Sequence, residues 1–381
     1  MIATVRIAID VRVTQGGYPG IGRATEGLVT ALLALKTAHR FFLIYEPRRR
    51  LPADLRAALR APHALLPIGA ALRGPRDQLE LPLRLRQARA DLYHATYYAM
   101  ALAPACPYVL NVFDLIPERY PRYWPRVQAA VIRRWLRRAS ARAACIFVPS
   151  HATAGDLETI YGISPARIAV TPLAADARWQ PHGEPLQDGG SMPPYLLCVC
   201  TNKPHKNLTR LVEAFALARR RQPSMPDLVI AGGWDPRYPE AQRRALALGI
   251  DAGASASEQG IVRFVQQPDD HTLQCLYRGA LGFVFPSEYE GFGLPVLEAM
   301  TAGLPVAASH TPAIAEVAGE AYLPFDPLDT QSIAAALLRL AGDPAVRERV
   351  AAAGRRRAGQ FSWHDTARRT LDVYDRLAPT A

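Results

Sequence analysis

Lysine is almost missing from this chain. Among 381 residues only Lys36, Lys203 and Lys206 are lysines, and the rest of the 45 basic residues are arginines. Cysteine is sparse too. Cys106, Cys145, Cys198, Cys200 and Cys275 make an odd number, and no pair has the Cys-x-x-Cys or Cys/His spacing of a zinc module. That argues against a disulfide framework and against a metal site, and for a reduced, cytoplasmic protein. No run approaches 18 apolar residues, so no helix is expected to span a membrane. Arg6 and Asp10 interrupt the apolar run 1–10, which reads as a first strand and not as a signal peptide. An Asp-x-Asp motif is also missing. With 49% hydrophobic and 21% charged residues the composition is globular, which excludes disordered, collagenous and coiled-coil classes. At roughly 150 residues per domain the length allows two domains.

What is present in excess is positive charge, unevenly placed. The formal net charge is +11. Residues 1–171 hold 24 Lys and Arg against 11 Asp and Glu, whereas residues 172–381 hold 21 against 23. A basic first half suits nucleic acid, an anionic membrane surface or an anionic ligand. No recognition-helix, RRM or KH pattern supports nucleic acid, and none is expected as a partner.

Short β-rich runs alternate with helical periodicity. In the first half strands are predicted at 5–10, 41–45, 91–94, 108–112, 145–149 and 168–171, and helices at 22–35, 76–88, 124–142 and 151–161. In the second half strands are predicted at 195–199, 227–231, 261–265, 282–285 and 305–308. Helices there are predicted at 207–221, 237–248, 270–279, 295–302, 331–341, 344–357 and 363–377. Ser362 followed by Asp365 resembles a capping box for the last of them. The alternation implies two parallel-sheet α/β domains, 1–172 and 195–360, joined by a Pro/Gly/Asp-rich linker at 173–194. Residues 361–381 form a C-terminal helix expected to pack back toward the first domain. Ligands in such folds sit at the carboxyl ends of strands, here in the cleft between the domains.

One segment concentrates chemistry. The strand 283–285 runs into Glu290-Gly291-Phe292-Gly293-Leu294-Pro295-Val296-Leu297-Glu298, where Pro295 suits a first helical turn. The two glycines permit close backbone approach, and the free N–H groups of Gly293 and Leu294 would aim at an anion. Glu290 and Glu298 accept from hydroxyls but repel phosphate. A ligand with hydroxyl-rich ends and a phosphate centre, such as a nucleotide sugar, fits that arrangement. Lys203 and Lys206 fall within four residues after the strand 195–199, which marks a place for a compact ammonium beside a diphosphate. The glycines 17, 20 and 22 follow the first strand and open a helix. Their spacing does not match the dinucleotide fingerprint, but Gly17, Gly20 and Gly22 could approach a diphosphate from the other domain. On the helix 121–142, Arg133, Arg134, Arg137 and Arg138 lie opposite Trp124, Ile132, Trp135, Leu136 and Ala139. That basic face suits either solvent or anionic lipid.

These residues carry a family resemblance. The Glu290-to-Glu298 segment resembles the E-x7-E signature of family 4 glycosyltransferases, retaining enzymes of the GT-B fold. Gly20-Ile21-Gly22-Arg23-Ala24-Thr25, Phe113-Asp114-Leu115-Ile116-Pro117 and Asn202-Lys203-Pro204-His205-Lys206-Asn207-Leu208 fall in family order. So do Glu316-Val317-Ala318-Gly319-Glu320-Ala321 and Phe361-Ser362-Trp363. The resemblance is to mannosyltransferases of bacterial surface-polysaccharide assembly. It implies two Rossmann-like domains facing each other across a cleft, the first for the acceptor and the second for the donor.

By this resemblance Lys206 is the diphosphate lysine, Glu290 holds the donor sugar and Glu298 binds the ribose hydroxyls. Gly291, Phe292, Gly293 and Leu294 line the donor. The second cation is His205, Lys203 or neither. Asp114 is the polar candidate in the first domain, because Phe113 stands where many relatives carry a His. His94, at another strand end, is a candidate to compensate, or else a structural histidine. The implied reaction is metal-independent transfer with retention, with no cofactor beyond the donor. GDP-mannose is favoured over UDP-glucose as that donor. The implied acceptor is a saccharide or a polyprenyl-diphosphate-linked saccharide, met at the inner face of the cell membrane. The alternatives are another GT-B activity, an epimerase or a phosphorylase, and a basic protein binding nucleic acid or an anionic surface.

Overall fold

The structure, a computed structural model, describes residues 4–16, 19–72, 74–180, 193–251 and 261–378. The chain divides into two compact units, one of Met1–Ala174 with Ser362–Ala381 and one of Ala175–Phe361.

The strands of unit 1 are β1 (Arg6–Asp10), β2 (Arg40–Tyr45), β3 (Ala64–Pro67), β4 (Leu92–Ala95), β5 (Tyr108–Asn111), β6 (Cys145–Val148) and β7 (Ile168–Val170). They form one parallel sheet in the order β3-β2-β1-β4-β5-β6-β7. Its helices are α1 (Pro19–Ala34), α2 (Ala53–Ala58), α3 (Asp77–Gln87), α4 (Ile116–Arg119), α5 (Arg126–Arg142) and α6 (His151–Tyr161). Strands β4, β5 and β6 are buried at every position. Both faces of a parallel sheet are covered by its crossover helices, so the strands read as continuous apolar runs.

Unit 2 repeats the plan. Strands β8 (Tyr195–Val199), β9 (Asp227–Gly232), β10 (Val262–Gln266), β11 (Gly282–Phe285), β12 (Val306–Ser309) and β13 (Leu323–Phe325) stand in the order β10-β9-β8-β11-β12-β13, all parallel. Helices α7 (Leu208–Arg221), α8 (Glu240–Ala247), α9 (Asp270–Gly279), α10 (Leu294–Thr301), α11 (Pro312–Ala318), α12 (Thr330–Gly342) and α13 (Pro344–Ala358) cover it. The short strands β3 and β13 and the short helices α2, α4 and α11 escaped the periodicity. Each is too brief to show a repeat, and β3 and β13 also contain proline.

The last helix, α14 (Trp363–Leu377), returns to unit 1. Ser362 caps it, accepting from the Asp365 N–H at 3.0 Å. Its Ala367, Val373 and Tyr374 are buried in one core with Ile7, Ile9, Leu28, Val29, Phe41 and Phe147, on the side of the sheet that α1 covers. Three polar ties fix it. Thr366 Oγ1 donates to the Pro172 carbonyl at 2.5 Å, His39 Nε2 lies 2.7 Å from Asp375, and His94 Nδ1 lies 2.5 Å from the Tyr374 hydroxyl. A Cβ on Gly27 of α1 would sit inside the Trp363 indole, so only glycine lets the two helices approach this closely.

The sequence predicts a linker over 173–194. Part of it, 181–192, lies outside the described residues. Before it, a 3-10 turn, Ala177–Trp179, belongs to unit 2. Trp179 is buried 4.9 Å from the ring of Tyr277, and Arg178 pairs with Asp270 at 2.8 Å.

Candidate functional site

In each unit the strand order reverses at one place, the crevice where parallel α/β sheets receive ligands. In unit 2 it lies between β8 and β11, which pair directly. The two segments singled out in the sequence leave the carboxyl ends of these two strands.

After β8 the chain is held by Asn202. Its amide donates to the carbonyls of Asp235 and Tyr238 at 2.8 Å each, and its carbonyl accepts from the Asp235 N–H at 2.7 Å. A 3-10 turn, Pro204–Lys206, follows, and Asn207 takes a left-handed conformation at φ 57° to start α7. Asparagine tolerates that conformation better than most residues. Its side chain donates to the Pro327 carbonyl at 2.7 Å, which fixes the turn. Lys206 is thereby aimed at Glu290, Nζ to Oε1 2.5 Å, and lies 5.4 Å above the Phe285 ring. The Lys206 and Glu290 side chains are only 15% and 12% exposed.

After β11 the loop is strapped to the same turn. The Glu288 N–H donates to the His205 carbonyl at 2.8 Å, and Ser287 Oγ donates to it at 3.3 Å. Gly293, at φ 103°, precedes α10, with Pro295 in its first turn. An L side chain there would be strained, so the glycine is needed for the loop to enter the helix. Gly291 is buried and Leu294 half-buried. Phe292 is buried, edge-on to Phe361 at 5.9 Å, so its ring packs the loop down. Glu298 is buried in α10, within 3.4 Å of the Tyr277 hydroxyl, and is no solvated face residue.

His205 is corrected as a cation. It is buried, and desolvation, with Lys206 and Lys203 adding to it, pushes its pKa down to about 2. It stays neutral, and its backbone carbonyl organises the loop. Lys203 is half-buried at the start of the same turn.

The remaining sequence candidates belong to unit 1. Gly17 lies outside the described residues, while Gly20 and Gly22 fall inside α1 and not in a loop before it. A Cβ on Gly22 would come within 3.1 Å of the Val13 carbonyl oxygen, so close packing explains that glycine. Asp114 Oδ1 accepts from the Ile116 N–H at 3.0 Å, in the turn that leads into α4.

His94 is corrected from a ligand-facing candidate to a core residue. Strand alternation turns it beneath α14, fully buried, with Nδ1 on Tyr374 and Nε2 2.6 Å from the Asn111 side-chain oxygen. All four arginines of α5 are exposed. Arg133 pairs with Glu118 at 2.5 Å and Arg137 lies over the Tyr161 ring at 5.2 Å, and both stay exposed along with Arg134 and Arg138.

Composition and spacing gave no sign of a buried network at the strand reversal of unit 1, between β1 and β4. Arg12 donates from Nε and Nη2 to Asp10 at 2.9 and 2.6 Å, and from Nη1 to Asp77 at 2.7 Å and to the Ala70 carbonyl at 3.1 Å. The Tyr93 hydroxyl donates to Asp10 at 3.0 Å. Burial penalises the guanidinium, but Asp10 and Asp77 outweigh it and raise its pKa. The network ties the turn after β1 to α3. The available signal was a carboxylate ending an apolar strand.

Burial depresses the pKa of His94 from 6.5 to about 4, so the native state holds it neutral where an unfolded chain would protonate it. Between those values the unfolded state binds more protons, and stability falls as pH drops from about 6.5 toward 4. His205 acts in the same direction. The expected loss from His94 is about 2–3 kcal/mol at pH 4.5. A melting temperature that falls on acidification, and falls less in a His94→Gln variant, is the expected result. Equal slopes in both proteins would contradict the assignment.

Comparison with known proteins bears on the family and the fold. Residues 188–357 match the family described as Glycosyl transferases group 1, and residues 19–179 match Glycosyltransferase Family 4. The chain is 30% identical over 303 residues to the O-antigen chain mannosyltransferase B of Escherichia coli, covering 77% of this chain and 76% of that protein. It is 30% identical over 266 residues to an MMP alpha-(1->4)-mannosyltransferase of Mycolicibacterium hassiacum, covering 67% of this chain and 60% of that protein. In fold it is similar to a sucrose-phosphate synthase of Thermosynechococcus elongatus. The TM-score there is 0.72 at 21% identity, over 98% of this chain and 99% of that one.

Proposed function

The chain belongs to the family 4 glycosyltransferases, and we propose that it moves a mannosyl group from GDP-mannose to a saccharide or lipid-linked saccharide with retention. The observation that carries the reading is the Lys206–Glu290 pair at the strand reversal of unit 2. A cation and a hydroxyl-binding carboxylate, held 2.5 Å apart, match the junction between a diphosphate and a sugar ring. On donor binding the ammonium turns to the diphosphate and the carboxylate to the sugar hydroxyls. The N–H groups at the start of α10 face the phosphates, and Glu298 accepts from the ribose. With these groups meeting the leaving charge, transfer proceeds without a divalent metal.

The bond from the anomeric carbon to the diphosphate oxygen breaks, and a bond to the acceptor hydroxyl forms on the same face. The acceptor proton passes to the departing phosphate oxygen, so charge and protons balance. Mannose is favoured because both relatives named above are mannosyltransferases. The basic unit 1 supports an acidic acceptor, such as a polyprenyl-diphosphate saccharide at the cytoplasmic membrane face.

A thermal-shift panel of nucleoside diphosphates and nucleotide sugars tests the donor. At 100 times its dissociation constant a true ligand stabilises by about 2.7 kcal/mol. GDP and GDP-mannose should give the largest shifts. Shifts from uridine nucleotides alone would replace the donor, and no shift from any nucleotide would overturn the reading.

A further inference from the structure

Among the described residues eight large apolar side chains are exposed, and four of them stand in pairs on two helices of unit 1. Leu79 and Leu83 on α3 are 78% and 53% exposed, and Val127 and Val131 on α5 are 78% and 54% exposed. Each pair is four residues apart, and an exposed arginine follows three residues later, Arg86 on α3 and Arg134 on α5. Arg138 extends the second stripe. At about 100° per residue each stripe stays within an arc of about 60°. On their other sides Leu81 and Leu85 of α3 and Leu136 and Ala139 of α5 are buried in one shared core. The two helices therefore cover the same side of the sheet, and both stripes look away from it. Between Glu118 and Asp156 the sequence holds eight arginines and no acid.

A surface built for nucleic acid has no use for exposed leucine and valine pairs, and a water-facing helix does not repeat them. Apolar side chains set between arginines match the boundary of an anionic bilayer, where acyl chains lie just beneath phosphates. We propose that α3 and α5 together form a docking surface for an anionic lipid bilayer. Leu79, Leu83, Val127 and Val131 enter the headgroup–acyl boundary, and Arg86, Arg134 and Arg138 meet the lipid phosphates. The purpose of the surface, delivery to a lipid-linked acceptor, rests on the function proposed above.

Sedimentation of the full chain with phosphatidylglycerol-rich vesicles tests the proposal, with phosphatidylcholine vesicles as control. Wild type should bind the anionic vesicles and release them as salt rises. Val127→Ser/Val131→Ser and Leu79→Ser/Leu83→Ser should each weaken binding about tenfold. Both keep the wild-type melting temperature and nucleotide shift, because the substituted side chains are exposed. Arg134→Gln/Arg138→Gln should flatten the salt dependence.

Failure of wild type to bind, or wild-type binding by both serine variants, would overturn the surface. So would light scattering that shows a dimer lost in those variants, or binding to random DNA as tight as to vesicles. The assay needs no substrate. Vesicle binding without transferase activity would therefore sink the proposed function alone, and transfer without vesicle binding would sink the surface alone.

Discussion

Glu290→Gln and Lys206→Ala are each expected to lower glycosyl transfer by roughly two to three orders of magnitude. The two losses should differ in kind. Lys206→Ala removes the cation that meets the diphosphate, so it should weaken nucleotide binding as well as turnover. Glu290→Gln keeps shape and size, so it should leave nucleotide affinity near wild type and lower kcat. Each variant also leaves one member of a partly shielded ion pair without its partner, at a cost of about 1–3 kcal/mol. Circular dichroism and a melting curve must accompany the kinetics, because loss of the fold would mimic loss of catalysis. Activity above a tenth of wild type in either variant would remove the pair from the catalytic site.

The second large effect is on stability. Tyr374 is fully buried, bonds His94, and stands edge-on to Phe147 at 6.3 Å. Tyr374→Ala should cost about 4 kcal/mol through the cavity, and about 1–3 kcal/mol more through the histidine nitrogen left without a partner. Tyr374→Phe should show only the second part. Calorimetry should find the unit 1 transition lowered and the unit 2 transition nearly in place. A Tyr374→Ala protein that melts like wild type would mean that α14 contributes little to unit 1.

Much of this was legible in the sequence. Strand–helix alternation gave both sheets, because buried parallel strands are written as short apolar runs. The glycine loop and the lysine pair stood out, because each is local, with its residues within about ten positions. What could not be read depends on separations or orientations that periodicity does not record. Arg12 meets Asp77 across 65 residues of chain, and His94 meets Tyr374 across 280. His94 illustrates orientation: a polar residue at the end of a strand faces either a ligand or a covering helix. Here α14, far along the chain, decides which. Helical angle puts Arg133 and Arg137 on an outer face, where they are exposed, but it does not record that Glu118 and Tyr161, from neighbouring elements, contact them.

The position of α14 also governs how the protein is made. Unit 2 is inserted between the bulk of unit 1 and the helix that completes it. As the chain leaves the ribosome, α1 can cover its part of the face that carries Phe41, His94 and Phe147, but the part that α14 covers stays open until the whole of unit 2 has followed. Unit 2 has every one of its strands before that moment and can close first. The segment synthesised first is thus finished last, and premature termination anywhere within unit 2 leaves it without the helix that completes its core.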